Sequence, residues 1–351
     1  MDLVDLRAAF APAPGYLNAA TVGLPARATA DAMRAAIDDW QEGRADLAVY
    51  DAAVAAARSA FARLVRVGED DVAIAAQTSA LVGLVAAALP DGAEVLVVDG
   101  DFSSVVFPFL AHADRGVRVR HVPVDDLAGA IRPSTDVVAF SLVQSRDGRV
   151  ADVDSVTSAA RAAGALTLCD ITQAGWLPVD ARQLDVTVCS AYKWLAAPRG
   201  TAFATVRPAV LDRLRPLAAG WYAGEDVWTS VYGPHMRLAT SARRLDVSPA
   251  WLCWVGAAPA LELFADVSPA AVRDHAVGLA DDLRLGCGLP PGGSAIVSLP
   301  DPDGVVAQRL GDAGCVVAAR GGGVRLAFHA WNDGDDVARA LSVLAPGHVP
   351  A

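Results

Sequence analysis

Two residues carry most of the chemical information in this chain. Asp170 closes the apolar run Ala165-Leu166-Thr167-Leu168-Cys169-Asp170, and Lys193 stands in Ser190-Ala191-Tyr192-Lys193-Trp194, just past the next apolar run. Each alone has an ordinary reading. A carboxylate at a strand end can cap the following helix, and a single lysine is usually solvated. As a pair at the carboxyl ends of successive strands, their side chains can project into one crevice. Pyridoxal phosphate (PLP) needs an amine to bond its aldehyde carbon and an anion to keep its pyridine nitrogen protonated, so that the ring withdraws electrons. Lysine is the only side-chain primary amine, and desolvation lowers its pKa toward useful values.

Such a pair needs a sheet to hold it. From about residue 70 to 206, short β-rich runs alternate with alanine-rich helical stretches such as Ser79–Leu89 and Val153–Ala163. The runs are Val72–Ala76, Val95–Asp99, Val117–Val124, Val137–Leu142, Leu166–Asp170, Val186–Ser190 and Thr201–Val206. Near-continuous apolar strands separated by helices predict an α/β domain whose mainly parallel seven-stranded sheet is covered on both faces. In such sheets ligands bind at the carboxyl ends of the strands. Ala28–Glu42 and Ala48–Leu64 read as helices before the sheet, and Gly220–Arg237, rich in Trp, Tyr and Gly, as an irregular loop after it. Trp251–Phe264 reads as a helix leading into a smaller α/β domain, with β-like pieces at Ala295–Leu299, Cys315–Ala319 and Val324–His329 and a last helix at Asp335–Leu344. The expected division is an N-terminal segment 1–27, a large domain 28–249 and a small C-terminal domain 250–351.

The ordered motifs Asp170-x-x-Gln173, Ser190-x-Tyr192-Lys193-Trp194-Leu195 and Pro198-Arg199-Gly200 resemble the class V aminotransferases, cysteine desulfurases and kynureninases, which are fold type I PLP enzymes. The likeness runs from Tyr16-Leu17-Asn18-Ala19-Ala20 to the last helix. It implies that Lys193 is the Schiff-base lysine and proton shuttle, that Asp170 pairs with the pyridinium nitrogen, and that Gln173 lies near the ring hydroxyl. Thr78 and Ser79 match the turn whose backbone N–H groups receive the phosphate, a role suited to a helix N-terminus. Ser190 and Tyr192 match further phosphate contacts; many relatives have histidine where Tyr192 stands, and tyrosine resembles the kynureninase-like branch. Phe102 aligns with the residue that stacks on the ring. Ser248 falls where relatives present a hydroxyl across a homodimer interface, although the usual Gly-Thr is Val-Ser here. Arg325 corresponds to the arginine that grips the substrate α-carboxylate with its guanidinium fork, and Asn18 to a residue at the substrate end. His329, beside Arg325, reads as structural.

Composition fits this picture. Of 351 residues 54% are hydrophobic and 20% charged, as in a globular chain, and the net charge of −11 disfavours a phosphate backbone as partner. The stretch Val72–Leu89 is uncharged, but a strand-turn-helix pattern fits it better than a membrane span. No basic-then-apolar leader opens the sequence, so a cytoplasmic protein is expected. The five cysteines share no CxxC spacing, which argues against zinc or a disulfide framework. Cys315 precedes Arg325 inside an apolar run, and the segment between them is too short to carry a desulfurase's mobile cysteine loop. The resemblance therefore leaves an aminotransferase, the preferred reading, a β- or γ-lyase, or a non-catalytic PLP-fold protein. The last is disfavoured because Lys193, Asp170, Gln173 and Arg325 are all kept.

Overall fold

The computed structural model describes residues 1–344; the last seven residues of the expected small domain lie outside the described residues. Seven strands, β1 (Val72–Ala75), β2 (Glu94–Val98), β3 (Arg118–Val122), β4 (Val137–Ser141), β5 (Leu166–Asp170), β6 (Val186–Ser190) and β7 (Ala202–Val206), form one sheet in the order β1-β7-β6-β5-β4-β2-β3. The pairs β2–β3, β2–β4, β4–β5 and β5–β6 are parallel. Strand β7 is antiparallel to both β1 and β6. The connection from β6 to β7 is short and holds the Lys193 turn, too little chain for a parallel crossover.

Valine-rich strands with both faces buried explain the sheet's place. Along β2, Val95 and Val97 face one apolar cluster while Leu96 and Val98 face the other, the two-residue alternation of a pleated strand. Helices cover both faces. Val153–Ala163 shows how the sequence punctuates them: the Asp152 carboxylate accepts from Ser155 N at 3.0 Å, and Gly164 ends the helix in the left-handed region at φ 75°. A side chain with a Cβ would be strained there.

The smaller sheet is antiparallel, with β8 (Ile296–Pro300) and β9 (Ala318–Arg320) flanking β10 (Gly323–Ala327). The strand expected at Cys315–Ala319 starts three residues later, because Val316 instead pairs with Tyr16 from the N-terminal segment. Leu17 donates to Val316 O at 3.0 Å and accepts from Ala327 N at 2.8 Å, so residues 15–18 are threaded between these two segments. Helix Trp251–Ala265 packs on helices Arg27–Gln41 and Leu47–Val65. The uncharged stretch Val72–Leu89 divides into β1 and the helix Thr78–Ala88. Among the described residues no single helix is long and apolar enough to cross a membrane.

Candidate active site

A cavity of about 320 Å³ opens at the carboxyl ends of β1, β4, β5 and β6. Its lining brings together Thr78, Ser79, Phe102, Asp170, Gln173, Ser190, Tyr192 and Lys193. These come from four separated stretches of chain, so the fold, and not proximity in sequence, assembles them.

Asp170 is the last residue of β5 and is 4% exposed. Burial pushes its carboxyl up to about 6, against the opposing pull of the Thr172 hydrogen bonds and of Lys193. Thr172 N donates to it at 2.8 Å, and Thr172 is the only residue hydrogen-bonded to it among the described residues, which leaves the carboxylate ready for a cationic group from the cavity. Lys193 is 5% exposed, and burial brings its amine down to about 8, with Asp170 resisting and Arg325 and Arg320 adding to the fall. Its Nζ lies 5.1 Å from the centre of the Phe102 ring and 5.8 Å from that of Tyr192. A depressed amine and a raised carboxylate in one cavity are the signature of a site prepared for chemistry.

The turn that carries Lys193 is tightly held. Ala196 N donates to Lys193 O at 3.1 Å with Ala196 itself in the left-handed region at φ 51°, a conformation costing an L-residue about 1 kcal/mol. Gly23 donates to Tyr192 O at 2.9 Å, and a Cβ on it would overlap the Lys193 carbonyl oxygen. The glycine that follows Asn18-Ala19-Ala20 in the sequence is thus required by the approach of the N-terminal segment to this turn. Trp194 Nε1 donates to Gln173 Oε1 at 2.7 Å, and Gln173 Nε2 donates to Ala20 O at 2.9 Å and Ser145 Oγ at 3.1 Å.

At the other end of the cavity, the helix Thr78–Ala88 begins without a side-chain cap from Gln77. The first N–H groups of a helix have no partner within it. Thr78 N reaches Ser190 Oγ at 3.3 Å, and the Thr78 and Ser190 hydroxyls meet at 2.7 Å. Free donors, two hydroxyls and the positive end of the helix suit an anion. An anion pocket, a carboxylate and a buried amine in one cavity fit the phosphate, pyridine nitrogen and aldehyde of PLP.

Arg325, 1% exposed on β10, lies outside the cavity lining but touches it through Ser145, donating from Nη1 to the Ser145 carbonyl and to Ser145 Oγ at 3.0 Å. Nη2 donates to Thr21 Oγ1 at 2.8 Å, while the buried Nε has no partner. Burial lowers this guanidinium to about 10. The Nε–Nη2 edge therefore keeps capacity for a two-point carboxylate contact. Asn18 pairs with Ala327 on the same strand, its Oδ1 buried and unpartnered, and it also lies outside the lining. Ser248 is exposed and stands apart from the cavity.

Sequence reasoning missed Ser145 and Asp101. Asp101 accepts from Ser141 N at 2.8 Å, Ser141 Oγ at 2.5 Å and Phe102 N at 2.7 Å, tying the Phe102 turn to the end of β4. Its position just before the aromatic residue, at a strand end, was the available signal. None of the five cysteines lines the cavity, and burial raises the Cys315 thiol.

A sequence profile of the aminotransferase class-V family matches residues 28–286. An uncharacterized aminotransferase of Bacillus subtilis is 28% identical over 312 residues, 82% of this chain and 82% of that protein. The kynureninase of Deinococcus radiodurans is 30% identical over 290 residues, 76% of this chain and 69% of the enzyme. In structure, a cysteine desulfurase of Escherichia coli matches with a TM-score of 0.84 at 20% identity, covering 98% of each chain. A cystine C-S lyase bound to cysteine persulfide matches equally well, 0.84 at 20% identity, over 94% of this chain and 97% of that one. At this identity the likeness is one of fold, fold type I.

Proposed function

The chain belongs to the aminotransferase class-V family, with pyridoxal 5′-phosphate as cofactor, and from that premise we propose that it is an aminotransferase acting at the Cα of an α-amino acid. The observation that carries this is the buried pair of Asp170 and Lys193 in one cavity, with Arg325 behind Ser145. When bound, the cofactor supplies an electron-withdrawing ring. Asp170 would keep the pyridine nitrogen protonated, and a positive charge there would offset the burial that raises its carboxyl. Thr78, Ser79, Ser190 and Tyr192 would hold the phosphate, Gln173 the ring hydroxyl, and Phe102 would cover the ring.

Lys193 would anchor the cofactor and, once released from it, would take up and return the proton at the substrate Cα. An amine brought down to about 8 is neutral in a useful fraction near neutral pH, whereas one at the usual 10.5 is almost wholly protonated there. Arg325 grips the α-carboxylate and so fixes which Cα bond is presented. The length matched in the Bacillus subtilis aminotransferase supports transamination. The kynureninase likeness supports a second reading, a β- or γ-lyase, which needs the same residues. Persulfide chemistry on an enzyme cysteine is the poorer fit: the Gly321-Gly322 connection between β9 and β10 has no cysteine.

Mixing the holoenzyme with a panel of amino acids and following the cofactor spectrum tests the choice. Transamination leaves pyridoxamine phosphate; a lyase regenerates the starting spectrum and releases a cleaved side chain, with ammonia after elimination or a shortened amino acid after C–C cleavage. The exposed Ser248, with its family counterpart on an interface, also leads us to propose a homodimer. Sedimentation should give twice the chain mass; an active monomer would refute this.

A further inference from the structure

A phosphate ester carries between one and two negative charges at neutral pH. A helix N-terminus supplies only about half of one positive charge, and the Thr78 and Ser190 hydroxyls supply none. Of the cavity's lining residues only Lys193 and Arg199 are cationic. Lys193 is already committed as the covalent anchor. Arg199 has no such duty, and among the described residues no carboxylate pairs with it.

The local chain explains how Arg199 reaches the cavity. Its guanidinium carbon sits 5.0 Å over the centre of the Tyr192 ring, a cation–π platform that limits where the charge can go. Thr201 Oγ1 donates to Pro198 O at 2.8 Å and closes the turn that bears Arg199. Ala191 N donates to Thr201 O at 3.1 Å, joining that turn to the residue after Ser190. Gly200 completes it at φ 106°, where a side chain would be strained.

We propose that Arg199, steered by the Tyr192 ring, is the cationic ligand of the cofactor phosphate. This rests on the cofactor binding as described above. The Tyr192 ring holds the Arg199 charge at the cavity that Thr78 and Ser190 also line. Arg199 is exposed at the cavity mouth, so its replacement leaves the packed interior untouched.

Titrating the apoenzyme with PLP and, separately, with pyridoxal, which lacks the phosphate, tests the assignment through absorbance and tryptophan fluorescence. Arg199→Met should bind PLP about ten- to a hundredfold more weakly, the size of a lost charge-assisted hydrogen bond, and bind pyridoxal as wild type does. Arg199→Lys should recover part of the loss. Equal weakening toward both ligands would make Arg199 a structural residue and overturn the proposal. Unchanged PLP affinity with weaker amino-acid binding would overturn it in favour of a substrate clamp. If wild type bound no PLP at all, the cofactor assignment itself would fall, a result distinct from either.

Discussion

His329 Nε2 donates to the backbone carbonyl of Trp194, 2.8 Å away, and Trp194 directly follows Lys193. His329 Nδ1 accepts from Ala330 N at 2.7 Å, so the ring is neutral with its proton on Nε2. It is stacked on Trp331 at 3.9 Å and 8°, with the Trp194 ring 5.4 Å away at 20°. Arg325 stands four residues earlier. One stretch of chain thus holds both the turn that bears Lys193 and the arginine proposed to grip the substrate.

The burial of the His329 ring has a pH consequence. The His329 ring is brought down to about 4 by desolvation, whereas an unfolded histidine titrates near 6.5. Folding therefore favours the neutral ring. The contribution is complete above pH 6.5 and is lost as pH falls toward 4, about 3 kcal/mol in all. His329→Phe keeps an aromatic in the stack but cannot be protonated. Urea unfolding at pH 7 and 4.5 should show a smaller acid loss for this variant than for wild type, together with about 1–3 kcal/mol less stability at pH 7 from the unpaired Trp194 carbonyl. An acid loss equal to that of wild type would mean His329 is not the group responsible.

The Lys193 amine gives a second pH prediction. Only a neutral amine attacks the cofactor aldehyde, so the rate at which apoenzyme takes up PLP should rise with pH and level off above about 8. Asp170 holds the amine up against desolvation, so Asp170→Asn should move the midpoint below 8. Stopped-flow absorbance across pH 6 to 10 measures both. A midpoint that rises in Asp170→Asn would show that the two groups do not interact as described.

Away from the cavity, Arg58 Nη2 meets Asp246 Oδ2 at 2.6 Å, with both side chains buried, and Ile74 N donates to Asp246 Oδ1 at 2.8 Å. The pair ties the helix Leu47–Val65 to the edge strand β1. Burial still pushes the Asp246 carboxyl up despite Arg58, so the pair fixes geometry more than it adds stability. Arg58→Met alone should cost about 3–5 kcal/mol by stranding a buried charge. Arg58→Met with Asp246→Leu should recover most of this. Chemical unfolding of the three proteins decides it; additive losses would contradict the reading.

The sheet and the Asp170–Lys193 pair were legible because both rest on local pattern: apolar runs of strand length and polar residues at their ends. Thr78 and Phe102 were legible only through the motif order. Ser145 and Asp101 were not, because their roles are contacts across the chain, Ser145 to Arg325 on β10 and Asp101 to Ser141 on β4. The threading of residues 15–18 into the small sheet escaped for the same reason. No periodicity in so short a segment announces a partner some 300 positions away. The antiparallel setting of β7 was implicit in the brief β6–β7 connection.

Arg325 offers a test of substrate class. Arg325→Ala should keep the PLP spectrum and lose roughly two decades of kcat/KM for an α-amino acid, about 3 kcal/mol. Arg325→Lys should recover only part, since an ammonium lacks the planar fork. Loss of PLP from Arg325→Ala would instead assign the residue to holding Ser145 and Thr21 in place. Undiminished turnover would move the carboxylate grip elsewhere.

Every role assigned above depends on the proposal that Lys193 carries the cofactor. Reducing the holoenzyme with borohydride, digesting it and sequencing the fluorescent peptide by mass spectrometry reads this out directly. The pyridoxyl group should be found on Lys193, within Ser190-Ala191-Tyr192-Lys193-Trp194; a label on another residue, or none in protein reconstituted with PLP, would contradict it.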